Sequence, residues 1–343
     1  MESFGEKINQ DIDLSDNIQT KYVISSESNY VFHPLKYLEG LKTVLLDSDV
    51  RIYEDSRVLS VDRFENYFLC KVNGHFIKAE KVVLALHYPY FLKPLFIPFK
   101  VHLEKSYVGA RKSSDNKFFN AISIDQPVKS IRYHYDGENK YQIFLDGSRN
   151  ICMDTDDCKH FDKLEDNDLD FEYLWSNIDI ITGDRLPYIG EIYNNLYLGT
   201  GYNTWGMTNG SLAGKVISDI ILEKENKYVK LFDPLRGAKF KERIVAIGSS
   251  LKGFISGSIM LRKYLYRGVV VYEKRNGKDV AVYVDEDGGE HVVYTRCPHL
   301  KCGLILNEKE LTWDCPCHGS RFDIDGKCIQ GPSNYDIFYR KKE

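Results

Sequence analysis

Cys297-Pro298-His299 and Cys315-Pro316-Cys317-His318 stand within the last fifty residues of the chain. The two segments follow the pattern C-x-H-x15-C-x2-H, so that two cysteines and two histidines arrive as two short pairs. Ligand pairs of this kind indicate a metal site. A structural zinc ion uses a Cys2His2 set, and so does a [2Fe–2S] cluster in which two imidazoles replace two thiolates on one iron.

Neighbouring residues favour a cluster over zinc. Cys302 and Cys317 stand one in each ligand loop, where a disulfide could bridge the loops. Ser320 follows closely, where its hydroxyl could donate to a cluster sulfur, and Gly331-Pro332-Ser333 offers a rigid third loop as a cover. The inner iron would take the two thiolates and the outer iron the two imidazoles. The predicted ligands are Cys297, Cys315, His299 and His318.

The last 75 or so residues resemble a Rieske [2Fe–2S] domain, whose segments C-x-H-L-x-C, C-P-C-H-G-S-x-F-D and G-P are all matched. The resemblance implies a supporting shell made of the Cys302–Cys317 disulfide, Ser320, Gly331 and Pro332. Two free packed thiols remain the alternative to the disulfide, because a reducing cytoplasm disfavours disulfides.

One position departs from the high-potential respiratory Rieske domains. Phe322 stands where those domains have a tyrosine two residues after the serine. The hydrogen bond from that hydroxyl to a cysteine sulfur is therefore missing here. Because such bonds tune the reduction potential, we predict a midpoint potential below that of the respiratory proteins.

Bulk properties limit the function classes. The chain has 343 residues, enough for two or three domains, and its net charge of −4 gives no electrostatic case for a nucleic-acid partner. The longest apolar stretch, residues 245–261, is broken by Lys252 and three glycines and predicts no membrane span. The first ten residues are polar and unlike a secretory signal, so we predict a cytoplasmic protein.

Hydrophobic periodicity predicts mixed helices and strands. A helix should begin near Pro34, a continuous apolar strand should run over residues 81–86, and residues 154–170 should be acidic and exposed. Further predicted strands are Ser106–Ala110, Ile131–Tyr135, Tyr141–Leu145 and Leu196–Leu198, and Ser211–Leu222 is a predicted helix. We predict three parts of the chain. They are a first region of mixed helices and strands over residues 1–237, a linker helix over 238–264 and a small all-β Rieske domain over 265–343.

The region before the linker is similar to the D-amino-acid-oxidase-type FAD-dependent oxidoreductases, specifically a bacterial group with a C-terminal Rieske domain. The segments that carry the resemblance are Phe32–Leu38, Val82–Pro89, Gly183–Gly190 and Gly201–Gly210. The resemblance implies an α+β multidomain chain, in which an FAD-binding α/β domain contains an inserted antiparallel sheet. FAD joins the cluster as an implied cofactor.

By the same resemblance, two sets of residues lie near the flavin. The implied FAD-binding residues are Gly199, Gly201, Trp205, Gly206, Met207 and Thr208, and the implied catalytic or substrate residues are His33, Asp184 and Arg185. Plainer interpretations stay open. His33 could only flank a helix start, Asp184 and Arg185 could form a structural ion pair, and Trp175 and Trp205 are more often core aromatics.

The family's first unit is a strand, a G-x-G-x-x-G turn and a helix that binds the ADP part of FAD. No G-x-G-x-x-G occurs in this chain, so we expect an incomplete FAD-binding domain. We also expect the strands at 82–86 and 196–198 to lack hydrogen-bonding neighbours. A separately encoded piece would then complete the domain.

Three functions follow from these expectations. The first is an oxidoreductase in which a flavin-type domain passes electrons through a [2Fe–2S] cluster to a redox partner protein or a small-molecule acceptor. The second is a stand-alone Rieske electron carrier with a non-catalytic remnant. The third is a non-functional gene fragment. Flavin absorbance of the purified protein would distinguish the first from the others.

Overall fold

The structure is a computed structural model. It describes residues 23, 31–88, 100–114, 119–152, 154, 156–165, 169–237, 248, 252–253, 255 and 270–339. They fall into two units: the first spans residues 1–55, 108–146 and 162–174, and the second spans residues 56–107, 147–161 and 175–343. The linker helix predicted for 238–264 lies outside the described residues, except for Gly248, Lys252, Gly253 and Ile255.

The described residues form few helices and many short strands. The helices are α1 (Pro34–Asp47), α2 (Asp157–Glu165), α3 (Gly206–Ile221) and α4 (Val229–Phe232). The first eleven strands are β1 (Val58–Arg63), β2 (Phe68–Val72), β3 (His75–Ala79), β4 (Val82–Ala85), β5 (Val101–Lys112), β6 (Ala121–Ile122), β7 (Lys129–Tyr135), β8 (Lys140–Asn150), β9 (Tyr173–Thr182), β10 (Tyr188–Tyr193) and β11 (Leu196–Thr200). The C-terminal strands are β12 (Val270–Arg275), β13 (Lys278–Val284), β14 (Glu290–Tyr294), β15 (Ile305–Asn307), β16 (Thr312–Asp314), β17 (Arg321–Asp323) and β18 (Cys328–Gln330). None of the described helices is long and apolar enough to cross a membrane.

Helix α1 belongs to the first unit. It begins with Pro34 at its first position, as the sequence predicts, because proline has no N–H to leave unpaired there. The ring Nδ1 of His33 accepts a hydrogen bond from the Lys36 N–H at 3.3 Å. His33 therefore serves as the helix cap, and its ring also packs edge-on against His134 at 5.1 Å.

A five-stranded sheet has the order β6-β7-β8-β5-β9. The β6–β7 and β7–β8 pairs are antiparallel, with Ile131 opposite Phe144 in the second pair. Strands β5 and β8 run several residues beyond the segments predicted from the sequence, because polar residues such as Lys105 occupy buried positions and hide the apolar alternation. This sheet is the β-rich insertion that the sequence predicts.

In the second unit, strand β11 is the centre of a three-stranded sheet of order β10-β11-β4. It pairs parallel with β4 and antiparallel with β10, with Leu198 opposite Leu84 in the parallel pair. The expectation that β4 and β11 lack hydrogen-bonding neighbours is wrong, because each strand is the neighbour of the other. All five residues of β11 are buried: Leu196 and Leu198 join one apolar cluster and Tyr197 joins another beneath α3.

Two further predictions need correction. Residues 154–170 are not uniformly exposed, because α2 buries Phe161 completely and packs it edge-on against Tyr107 at 5.2 Å. Trp205 is 61% exposed and Trp175 39% exposed, so neither is a core aromatic. Trp205 is the residue immediately before α3. Trp175 lies on the face of β9 opposite to buried Ser176.

Residues 270–339 form a C-terminal module of two sheets, with the orders β12-β13-β14 and β15-β16-β17-β18. The module has its own apolar core, in which Trp313 and Phe322 face each other across the β16–β17 pair. All-β structure with a core of its own is what the sequence predicts for this part of the chain. The sheet β15–β18 presents its connecting loops to the candidate site.

Arg236 organises the turn before β10. Its guanidinium binds both carboxylate oxygens of Asp184 at 2.7 and 3.0 Å, donates to the carbonyls of Leu186 and Pro187, and lies 4.0 Å from the centre of the Tyr188 ring. Burial raises the pKa of the Asp184 carboxyl, but the hydrogen bond and charge of Arg236 outweigh it and hold that pKa below its usual value. The suggested Asp184–Arg185 ion pair is therefore replaced by Asp184–Arg236.

We predict that Arg236→Ala lowers the free energy of unfolding by about 2–4 kcal/mol, because it leaves Asp184 and several carbonyls without their donor. Urea denaturation followed by tryptophan fluorescence measures this loss. Lys230→Ala, which removes an exposed charge on α4, is the control and should change the free energy by less than about 0.5 kcal/mol. Equal effects of the two substitutions would contradict the role given to Arg236.

Candidate metal centre

Two loops of the C-terminal module carry the predicted ligands, and each loop is closed in the same way. In residues 297–302, the Cys297 N–H donates to the Cys302 carbonyl and the Lys301 N–H donates to the Cys297 carbonyl, both at 2.9 Å. Residues 315–320 repeat this pattern, with the Cys315 N–H bound to the Ser320 carbonyl at 2.8 Å. The fourth residue after each ligand cysteine has a positive φ, +62° at Lys301 and +75° at Gly319.

The two cysteines of the predicted set are buried free thiols. Cys297 is 0% exposed and Cys315 is 2% exposed. A hydrogen bond from Cys315 is the largest cause that lowers the pKa of Cys297 to about 7, and it raises the pKa of Cys315 itself. The N–H groups of His299 and Leu300 and the hydroxyl of Ser320 also lower the pKa of Cys297. The loops therefore supply donors that stabilise thiolate charge, as metal ligation requires.

The two histidines of the predicted set lie together. Their rings meet edge-to-face with centroids 4.9 Å apart. Burial lowers the pKa of both imidazoles, to about 4 for His318, so both rings are neutral at pH 7. Within the part of the chain that the structure describes, Nδ1 of His299 and Nδ1 of His318 are buried without any hydrogen-bond partner.

These orphaned nitrogens test whether a metal group fits the site. An unpaired buried imidazole nitrogen costs about 1–3 kcal/mol unless a ligand takes up its lone pair. Two neutral imidazoles and two buried thiols that share hydrogen-bond donors match the mixed ligation of a [2Fe–2S] cluster. The residues present therefore fit the group.

A disulfide joins the two loops. Cys302 and Cys317 are bonded with an S–S distance of 2.11 Å, the pairing that the resemblance implies. The sulfur atoms of Cys302, Cys315 and Cys317 lie within 4.8 Å of one another, which by distance alone suggests a three-cysteine metal site. The disulfide argues against that site, because bonded sulfurs offer no thiolate. Of these three sulfurs, only that of Cys315 remains available as a ligand.

The third loop supports the site through Ser320. Its hydroxyl donates to the Cys297 sulfur and accepts a hydrogen bond from the Ser333 N–H at 3.0 Å, so it links residues 331–333 to a candidate ligand. Cys328, for which the sequence predicts no role, donates its thiol to the Ser333 carbonyl at 3.2 Å and fixes the same loop. Phe322 is fully buried and carries no hydroxyl toward the site.

The implied flavin residues lie around the carboxyl ends of β4 and β11. Strand β11 ends at Thr200, whose hydroxyl donates to the His87 carbonyl at 2.7 Å, and α3 begins six residues later. Gly199 lies so close to α3 that an added methyl group would lie 3.4 Å from the Ala213 Cβ and 2.7 Å from the Tyr202 hydroxyl. Gly201 has φ +71°, and Asn203 bonds both the N–H and the hydroxyl of Thr182. The remaining residues of this set, Trp205, Gly206, Met207 and Thr208, form the start of α3.

Of the implied catalytic residues, Asp184 and Arg185 share one turn of the second unit. The Asp184 oxygens are engaged by Arg236 and by the Leu186 N–H. Arg185 is exposed, has φ +60° and reaches Glu104 at 3.8 Å. His33 belongs to the first unit, where it caps α1.

Sequence reasoning missed the residues that support the site from outside the module. Tyr88 packs edge-on against the His318 ring at 5.7 Å, and the Cys152 thiol donates to the Pro316 carbonyl at 3.0 Å. Lys105 binds Asp314, the residue before Cys315, at 2.7 Å. Of these residues, only Lys105 could have been noticed in the sequence, because it is a charged residue on the same face of β5 as Leu103 and Tyr107.

The fold and the site define an iron–sulfur protein attached to a flavin-type region, and comparison with known families agrees. The sequence model of the FAD dependent oxidoreductase family matches residues 11–220, and that of the Rieske [2Fe-2S] domain matches residues 258–338. The chain belongs to the FAD dependent oxidoreductase family and carries a C-terminal Rieske domain. The Rieske domain implies a [2Fe–2S] cluster and the family implies FAD.

Similar proteins match the family region, the Rieske domain or both. YhfW of Bacillus subtilis, named as a Rieske 2Fe-2S iron-sulfur protein, is 29% identical over 338 residues, which cover 94% of this chain and 66% of YhfW. The cytochrome b6-f complex iron-sulfur subunit of Synechococcus elongatus is 30% identical over 92 residues, 25% of this chain and 51% of the subunit. The glycine oxidase structure from Geobacillus kaustophilus aligns with a TM-score of 0.46 at 17% identity, over 59% of this chain and 57% of the oxidase. The chain thus spans less than two thirds of the length of these relatives.

We predict that Ser320→Ala lowers the midpoint potential of the reconstituted cluster by roughly 60 mV. The hydroxyl donates to a cysteine sulfur, and losing a charge-assisted hydrogen bond of about 1.4 kcal/mol in the reduced state corresponds to that shift for one electron. A redox titration followed by electron paramagnetic resonance measures it. Ser333→Ala, which keeps the backbone N–H bound to Ser320, is the control. A midpoint in Ser320→Ala equal to that of the parent would contradict the assigned hydrogen bond.

Proposed function

We propose that this chain is an iron–sulfur oxidoreductase in which a [2Fe–2S] cluster takes electrons from a flavin bound to the family region and passes them to an acceptor. The observation that carries the proposal is the donor set. Two buried thiols and two imidazole nitrogens without partners converge from two loops of matching geometry. The proposed ligands are Cys297, Cys315, His299 and His318.

When bound, the cluster supplies a one-electron redox site. The chain's own residues prepare that site. Backbone N–H groups of the two loops and the Ser320 hydroxyl stabilise negative charge on the sulfurs, burial keeps the imidazoles neutral, and the Cys302–Cys317 disulfide holds the loops together. A dry, hydrogen-bonded surrounding of this kind sets the potential of an iron–sulfur centre.

We place FAD against the carboxyl ends of β4 and β11 and the start of α3. Ligands of α/β sheets bind outside the carboxyl ends of parallel strands, and a helix N-terminus favours an anionic group there. The parallel β4–β11 pair, the close approach at Gly199 and the positive φ at Gly201 support this placement. A redox partner protein or small-molecule acceptor, a separately encoded completing piece and the cytoplasmic location stay predictions.

A stand-alone electron carrier is the second candidate. The observation that favours it is that all four proposed ligands lie within residues 297–318, inside a module with its own apolar core. Cluster binding therefore needs no flavin. Flavin absorbance separates the two candidates: a purified protein that holds iron and sulfide but takes up no added FAD supports the carrier and sinks flavin catalysis for this chain.

We predict that the purified protein contains two iron and two acid-labile sulfide per chain, and that Cys297→Ser and His318→Ala each abolish the cluster signal in electron paramagnetic resonance. Each substitution removes one of the four proposed ligands, and a weaker ligand or none takes its place. Cys328→Ser is the matched control, because Cys328 is a buried thiol of the same module that binds only carbonyls and its replacement should keep the cluster. Stoichiometric zinc without sulfide would refute the cluster.

We also predict that Phe322→Tyr raises the midpoint potential, by roughly the 60 mV of one hydrogen bond, because a hydroxyl at this buried position adds the donor that the respiratory domains have. Phe322→Leu changes the side chain without adding a donor and serves as the control. Protein-film voltammetry on both variants decides the matter. A potential in the tyrosine variant no higher than in the leucine variant would rule out the missing bond as the cause of a lower potential.

A further inference from the structure

Residues of the family region cover one loop of the candidate cluster site, and the other loop carries exposed residues. In the loop 315–320, Pro316, Cys317 and Gly319 are buried, whereas Leu300 and Lys301 of the loop 297–302 are exposed. The two loops have matching backbone geometry, so this difference comes from what packs on them. All of the residues concerned belong to the second unit.

The cover is tightly packed. A methyl group added at Gly319 would lie 3.1 Å from Leu103 Cδ1 and 3.2 Å from Ile178 Cδ1. Cys152, 3% exposed, donates its thiol to the Pro316 carbonyl, and Tyr88 lies edge-on to the His318 ring. Beside this contact, the cavity lined by Lys105, Asp157, Ile178 and Pro316 measures about 20 Å³, room for roughly one water molecule.

A buried ion network fixes this contact beside the loop. Lys105, 4% exposed, binds Asp157 of α2 at 3.0 Å and Asp314 of β16 at 2.7 Å, and the Tyr107 hydroxyl donates to Asp157 at 2.6 Å. The other Asp314 oxygen accepts from the Arg321 guanidinium at 3.0 Å. Asp314 directly precedes Cys315, so the network holds the loop at its root.

The network extends to β9 through Glu310. One carboxylate oxygen of Glu310 accepts the Ser176 N–H at 3.0 Å, and the other accepts the Ser176 hydroxyl and pairs with Arg321 at 2.9 Å. Arg321 in turn donates to the Ser176 carbonyl at 3.0 Å. On the opposite side of the module, Arg57 donates to the Cys328 carbonyl at 2.8 Å. Charged groups of β5 and α2, the polar Ser176 of β9 and Arg57 before β1 thus meet polar and charged groups of the module.

Buried charges of this kind specify one arrangement. Removing one member of a buried ion pair costs about 3–5 kcal/mol, because the partner charge is left in a poorly solvated place. If the module separated from β5, Lys105 and Asp314 would lose each other as partners. Several hydrogen bonds and ion pairs would then break at the same time. The contact is therefore held in one geometry rather than sampled loosely.

We propose that the C-terminal module is locked onto the family region of its own chain by the Lys105–Asp157–Asp314–Arg321–Glu310 network, and that the covered loop 315–320 is the side through which the cluster receives electrons. The inference rests on the proposed function for the electron donor. Each event moves one electron: a flavin reduced by two electrons loses one, the cluster gains it, and a one-electron acceptor re-oxidises the cluster before the second electron follows. Tyr88 and Cys152 are positioning residues at this contact.

The reactivity of Cys152 tests the lock without any need for flavin. In the full-length, cluster-loaded protein, the rate of iodoacetamide alkylation of Cys152 is measured peptide by peptide in mass spectrometry. We expect Lys105→Met to raise this rate at least about tenfold, because a buried thiol reacts in proportion to the open population. The cluster absorbance per chain is the control for the module's own fold and should stay at the parent level, because all four proposed ligands lie inside the module. Lys112→Met removes an exposed charge from the same strand and should leave Cys152 unchanged.

An unchanged Cys152 rate in Lys105→Met would overturn the lock. If the cluster absorbance were lost together with the protection of Cys152, that variant would have lost the module's fold, and Ser176→Ala would decide, since it removes one hydroxyl and keeps the module's internal bonds. There a rise of about threefold or more at Cys152 alone supports the proposal, and no rise overturns it. If the contact is retained and the cluster in the FAD-bound protein is nevertheless never reduced, the proposed function is wrong, whereas the lock is not.

Discussion

Two imidazole nitrogens that no group in the described part of the chain satisfies are the constraint on which the C-terminal module depends. Buried nitrogens are rarely left unpaired in folded proteins, and a bound group that takes up their lone pairs is one reason for such an exception. The loops that carry His299 and His318 are held by backbone bonds, a disulfide and the Ser320 bridge, so their rings cannot turn away to find other partners. The module's fold thus preserves an unsatisfied site, which makes ligand binding part of its stability.

Other residues of the second unit meet the module with charged as well as apolar side chains. Apolar contacts at Leu103 and Ile178 supply attraction but little direction. Carboxylates and cations demand fixed partners and angles. Placing Asp314 next to Cys315 makes the orientation of a ligand loop depend on residues of β5 and α2. These charged contacts define the orientation of the redox site on the scaffold better than apolar packing alone would.

The ligand loops could be read from the sequence because their geometry is local. Cys297 to Cys302 and Cys315 to Ser320 are short segments whose closure depends on their own residue types. The β4–β11 pairing was missed because it joins residues more than a hundred positions apart. The start of α3 was placed five residues late, since glycines and Trp205 hide its first turn. The Lys105–Asp314 bond spans 209 positions, and no pattern along the chain predicts it.

The buried network also has an evolutionary consequence. A lysine between two carboxylates cannot be exchanged for an apolar residue unless the carboxylates change as well, because each single step passes through an uncompensated buried charge. Positions 105, 157 and 314 should therefore vary as a set among related chains, although they lie on three separate elements. Such joint variation would mark, in sequences alone, which relatives attach their iron–sulfur module to the same sheet.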